Sequence, residues 1–246
     1  GIQLTFSSAQ LASTFADDTS LSADKPGVLR VNFKENNATT SGAYYGYNDV
    51  LRLVLPDGTI VTPVNEKHLT PPNSQSNQIN WSDFQVPQNL DVSKTVLRLG
   101  TQSEAQMNIP LVQNTDLSKY QDKTVMPGGT SSYAGIKWTL TQAVRSWSSN
   151  DKQVTNGNRY VTVTLSVDNP SANTVYFDPS SVLRLQTGTT KVSPESGYTL
   201  PTSFASGTTN QSGTVTFTMP EGSTSYSLIF QAQDTSPQSS INFQIP

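Results

Sequence analysis

The chain has 246 residues, a formal net charge of −3, one histidine and no cysteine. So small a charge, with Lys and Arg scattered along the sequence, argues against a nucleic-acid partner; the lack of cysteine removes both a disulfide framework and a thiolate metal site, and no apolar run reaches the roughly 18 residues of a membrane-spanning helix. Charged side chains make up only 13%, against about 25% in an average domain, and the polarity comes instead from Ser, Thr, Asn and Gln, which together with 15 Gly and 15 Pro point to an all-β chain.

In chain order, Ile2, Leu4 and Phe6 alternate with Gln3 and Thr5, the period of a strand with one buried face. Gly1 leads straight into this pattern, so an export signal or anchor is expected to lie upstream. A second strand follows at Val28 to Phe33, and a central one at Val50 to Leu55 runs into Pro56-Asp57-Gly58. That is turn chemistry, because Pro presets φ and Gly reaches φ > 0 without steric cost. A Pro-rich loop from Glu66 to Gln78 precedes a strand ending in Val86-Pro87, and Thr95 to Leu99 and Met107 to Pro110 close the unit.

The stretch from Leu29 to Leu53 then returns without a gap 132 positions later, with Leu29 falling on Val161 and Leu53 on Leu185. Val31, Asn37, Tyr44, Val50, Leu51, Arg52 and Leu53 are identical in the second copy. The first strand recurs as Ile136, Trp138 and Leu140, the Pro-terminated strand as Thr214 to Pro220, and the closing strands as Tyr226 to Phe230 and Ile241 to Ile245. About seven short strands per copy, with turn signals between them, predict two tandem immunoglobulin-like β-sandwich domains. Their expected bounds are 1–112 and 133–246, joined by a polar, Gly-bearing linker at 113–132. Trp138 shares the register of Ile136 and Leu140 and belongs to the core, as does Tyr176.

The second copy is the more familiar. Its Val/Thr strand ending in Asp168-Asn169-Pro170, the Val182-Leu-Arg-Leu185 strand, Gly213-Thr-Val-Thr-Phe-Thr-Met-Pro220 and Tyr226-Ser-Leu-Ile-Phe230 resemble a family of immunoglobulin-like domains of bacterial secreted proteins and lipoproteins, similar to the mycobacterial immunoprotective extracellular protein. The first copy, with Leu55-Pro-Asp-Gly58 and Phe84-Gln-Val-Pro87, fits the same outline. The resemblance implies export, an extracellular or cell-surface location in a bacterium, and a binding or structural role. It carries no catalytic residues over.

The residues themselves agree on that last point. His68 lies in a polar, Pro-rich loop beside Glu66 and reads as a solvated histidine rather than a base or ligand. Asp17, Asp18 and Asp24 match no calcium-loop spacing, and no nucleophile elbow is present. No catalytic residue, metal or cofactor is assigned. The aromatics carry the better signal: Trp81 falls in the outward register of its strand, Tyr44, Tyr45 and Tyr47 surround Gly46, and Trp147 stands between Ser146 and Ser148. These five are the candidate contacts to a protein or glycan partner at the cell surface. Membrane association would come only through an anchor outside this chain. The expected function is a noncatalytic surface interaction or spacer module; the alternatives are a carbohydrate-binding module using the aromatics and a subunit of a fibre or surface layer.

Overall fold

The computed structural model describes residues 2–17, 27–38, 40, 45–149, 152–231 and 239–246. The chain divides into two compact units, Gly1–Tyr120 with Asn150–Asn156, and Gln121–Ser149 with Gly157–Pro246. Among the described residues the strand pairings are antiparallel, and helix is confined to single turns.

In unit 1, β1 (Ile2–Ala12) and β2 (Gly27–Asn37) are followed by the one-turn helix α1 (Tyr47–Val50) and by β3 (Leu51–Val54), β4 (Ile60–Val61), β5 (Asn65–Glu66), β6 (Ser76–Val86), β7 (Val96–Leu99) and β8 (Met107–Pro110). One sheet runs β1-β2-β6-β5 and the other β4-β3-β7-β8. Side chains alternate across each strand, so Leu29, Val31 and Phe33 of β2 and Phe84 and Val86 of β6 meet Leu51, Leu53, Leu97 and Ile109 of the second sheet in one core. The Pro56-Asp57-Gly58 turn forms as its chemistry requires, with Gly58 at φ 85° and the Asp57 carboxylate accepting from the Thr59 amide at 2.9 Å.

In unit 2 the strands are β9 (Lys123–Val125), β10 (Thr130–Tyr133), β11 (Ile136–Ser146), β12 (Ser148–Ser149), β14 (Asn158–Asp168), β15 (Val175–Tyr176), β16 (Leu183–Thr187), β17 (Thr190–Val192), β18 (Ser203–Phe204), β19 (Gln211–Pro220), β20 (Ser225–Phe230) and β21 (Ser239–Gln244), with a one-turn helix α2 (Pro179–Val182); β13 (Lys152–Gln153) lies in the segment that belongs to unit 1. One sheet runs β10-β11-β14-β19, with β9 also on β11, and the other β17-β16-β20-β21. Trp138, 0% exposed, sits at the centre, its ring centroid 4.4 Å from Phe177, 5.2 Å from Phe230 and 5.6 Å from Phe204.

The central strands β11-β14-β19 and the sheet β17-β16-β20-β21 of unit 2 repeat the order of β1-β2-β6 and β4-β3-β7-β8 in unit 1, and the register repeats with them. Leu29 pairs with Phe84 as Val161 pairs with Phe217, and Leu51 with Leu99 as Leu183 with Phe230. Even the irregularity in the first long strand recurs, between Phe6 and Ser8 in β1 and between Leu140 and Gln142 in β11. Two of the sequence identities gain a cause here. Arg52 donates to the carbonyls of Asn48 and Leu51, and Arg184 to those of Ser180 and Leu183, satisfying carbonyls that a helical turn leaves open at its end. Asn37 and Asn169 are both fully buried, their amides donating to loop carbonyls: Pro72 in one, Asn173, Phe204 and Ala205 in the other.

Two expectations need correction. The stretch 113–132 is not a free linker. Leu117 and Tyr120 pack on the core of unit 1, with the Tyr120 hydroxyl exchanging 2.8 Å bonds with the Asn108 backbone, while β9 and most of β10 are strands of unit 2. Polar Ser/Thr side chains hid this, because strands added at an edge bury only one residue in two. Tyr176 is not core but 82% exposed; the neighbouring Phe177, at 4%, takes that place.

Candidate functional site

Trp81 lies, as its register predicts, on the outer face of the first sheet, but it is half-buried because Arg30 covers it. Antiparallel pairing sets Arg30 of β2 directly opposite Asp83 of β6. The guanidinium grips that carboxylate through both oxygens, Nε to Oδ1 at 2.8 Å and Nη2 to Oδ2 at 2.7 Å, the fork geometry that favours arginine over lysine. It also donates to Asp17 at 2.7 and 3.2 Å, and its carbon stands 3.7 Å from the Trp81 ring centroid and 4.1 Å from that of Phe15. Asp83 is fully buried and Arg30 only 9% exposed. Held between two carboxylates, the guanidinium has its pKa raised further, above all by the Asp83 bond, and the Arg30 bond lowers that of Asp17. Asp17 is thus committed to an ion pair; Asp18 and Asp24 lie outside the described residues.

Unit 2 reaches the same arrangement from other positions. Arg159, 6% exposed, stacks with its guanidinium carbon 3.2 Å from the Trp147 ring centroid and pairs with Glu221. Neither Trp offers a bare stacking platform, since a cation already occupies a face of each ring.

The tyrosines separate. Tyr44 lies outside the described residues. Tyr47, expected as a surface contact, is fully buried in the core of unit 1, edge-on to Phe33 at 5.4 Å and to Tyr45 at 5.5 Å. The single turn of α1 points its ring inward, and no alternation in the sequence signals a turn that short. Tyr45 is half-buried on the same core. His68 is exposed, its backbone clamped by the Asn80 side chain, which accepts from the His68 amide at 2.9 Å and donates to its carbonyl at 3.0 Å.

One group carries no signal in the sequence. The inward row of β2 continues past Phe33 to Glu35, which is fully buried where unit 2 has Val167. One oxygen accepts from Gln78 at 2.7 Å and the other has no hydrogen-bond partner among the described residues, as is also true of the Tyr47 and Ser82 hydroxyls. Burial pushes the Glu35 carboxyl up to about 7, against the pull of Gln78 and Asn80. Burial, with the Glu35 charge adding to it, also raises the Tyr45 phenol above its usual range. Among the described residues, no cluster of metal-ligating side chains is present.

With this geometry in place, the comparisons are informative for one half of the chain. Residues 128–240, which run from just before β10 into the start of β21, match a family described as Domain of unknown function (DUF4352). No curated protein and no solved structure matches the chain.

Proposed function

We propose that the chain is a noncatalytic, exported protein of two tandem immunoglobulin-like domains that serves as an interaction or spacer module at a bacterial cell surface. The observation that carries this reading is the repetition of central strand order, register and bulge position between the units, since duplicating one stable sandwich requires no reactive centre. The outward strand positions support it. Thr162, Thr164, Thr214, Thr216 and Thr218 alternate with core residues, and Thr162 and Thr216 bond across strands at 2.9 Å, a hydroxyl-rich face that suits solvent. The strongest ionic groups serve structure: Arg30 and Arg159 hold carboxylates and indoles in place, and Glu35 has no exposed surface to offer a substrate. The stacked guanidinium groups also weaken the case for glycan binding at Trp81 and Trp147.

Assay of the purified protein against a broad panel of glycans and esters tests the noncatalytic part. No turnover is expected; hydrolysis that disappears on changing Glu35→Gln or Asp83→Asn would sink it. Protease shaving of intact cells tests the location, and a protein that survives shaving but is digested after lysis contradicts surface exposure.

A further inference from the structure

The two units differ at one sheet edge. In unit 2, the edge of β11 is covered twice: β10 pairs with it from Ile136 to Thr139, and β9 from Ala143 to Arg145. Between them Gly128 donates to the Leu140 carbonyl at 3.0 Å, and the Leu140 amide to Gly129 at 2.8 Å, so the cover is continuous past the bulge. In unit 1, β1 pairs with β2 alone among the described residues.

The inward row shows the consequence. Ile136, Trp138, Leu140 and Ala143 are at most 1% exposed, whereas their counterparts Ile2, Leu4, Phe6 and Ala9 are only half-buried. Unit 2 also has an aromatic cover at this edge. Tyr133 of β10 lies 5.8 Å from Phe230 and 6.4 Å from Phe177, and its carbonyl accepts from the Trp138 indole at 3.3 Å. The matching positions in unit 1, Leu99 and Tyr45, are half-buried, and among the described residues no ring from a strand beside β1 lies over them. Nor does β1 carry the residues that protect a lone edge: over 11 residues it has no charge and no proline. Its bulge does not block pairing, because β11 is covered with a bulge at the same place.

We infer that the edge of β1, unpaired among the described residues, is a docking site for an extended strand of a partner protein, laid antiparallel, rich in Ser and Thr and carrying one aromatic side chain placed over Tyr45 and Leu99. The chemistry of the occupant is read from β9 and β10, which do the same for β11. A second copy of the chain is poorly suited, since its own β9 and β10 are engaged on β11, and the Leu4 and Phe6 of its β1 face its own core. Docking at this edge does not depend on where the protein resides, and it can fail while the surface reading stands.

Hydrogen exchange of the 246-residue protein, followed by mass spectrometry, tests it with a synthetic peptide of Gln121–Tyr133 as probe. The expected result is exchange slowed about tenfold or more within Ile2–Ala12, with β11 unchanged, and affinity lowered about tenfold when the peptide carries Tyr133→Ala. Four results would each overturn the proposal. They are no change in β1 at about 1 mM peptide; a change confined to β11; equal binding of the two peptides; and β1 already fully protected without peptide. In the last case, dependence on protein concentration would assign the edge to a second copy, and independence to cover from within the chain.

Discussion

Glu35 occupies an inward position between hydrophobic layers, and its carboxyl is raised from the ordinary 4.5 to about 7 by burial. Between those two values the folded state holds the proton more tightly than the unfolded state, so stability falls with rising pH. The contribution of Glu35 to the stability of unit 1 should be complete below about pH 4.5, fall by up to a few kcal/mol by about pH 7, and change little beyond, because each tenfold difference in proton affinity between the two states is worth about 1.4 kcal/mol. Urea midpoints across this range check it, and Glu35→Gln should flatten the curve; an unchanged slope would assign the dependence elsewhere. Arg30 gives the converse case. Arg30→Met strands the buried Asp83 carboxylate and should cost about 3 to 5 kcal/mol, whereas Trp81→Leu, which removes a ring but no charge, should cost about 1 to 2 kcal/mol; comparable losses from the two would contradict the assignment of Asp83 as the dominant partner. The outward position of Trp81 was legible from the sequence, but its cover was not, because Arg30 is brought to it only by strand pairing. Glu35 was hidden for a simpler reason: an acid near a strand end, followed by Asn36 and Asn37, reads as solvated.

The long strands were largely legible, because period-two alternation and proline stops are properties of the chain itself. The loops that close each sandwich were not, and they use different devices at equivalent places. In unit 1 the Asn80 side chain reaches out to clamp His68; in unit 2 the corresponding residue is Gly213, where an added Cβ would collide with the backbone of Leu200. Gly213→Ala should therefore displace the loop from Glu195 to Gln211 and destabilise unit 2, whereas Asn80→Gly in unit 1 should free the His68 loop with little effect on the strands; hydrogen exchange resolved by segment distinguishes the two. Asn169 ties the same loop in unit 2 from the other end. Asn169→Ala leaves the Phe204 and Ala205 carbonyls without this donor and should cost about 2 to 3 kcal/mol in urea titration.

At the scale of the whole molecule, the repeat of Leu29 to Leu53 announced two units, and the structure sharpens where they divide. Unit 1 is discontinuous, taking in Asn150–Asn156, where the fully buried Val154 accepts from the Ala105 amide at 2.8 Å, and Asn156 donates to the Ser103 carbonyl at 3.0 Å. No sequence signal marks such a return, since its backbone bonds are indifferent to side-chain type. A fragment of residues 1–120 should accordingly unfold at lower urea than the same residues in the intact chain, with faster exchange around Ser103 to Gln106; identical midpoints would show that the returning segment adds nothing. Following either unit alone is made simpler by the arginine stacks described above. Of the three indoles in the chain, Trp81 alone belongs to unit 1, while Trp138 and Trp147 belong to unit 2. Changing the latter two to Phe leaves a single indole, pressed against Arg30. Its emission then becomes an optical gauge of one ion pair, shifting when that guanidinium lets go, whatever the other unit is doing.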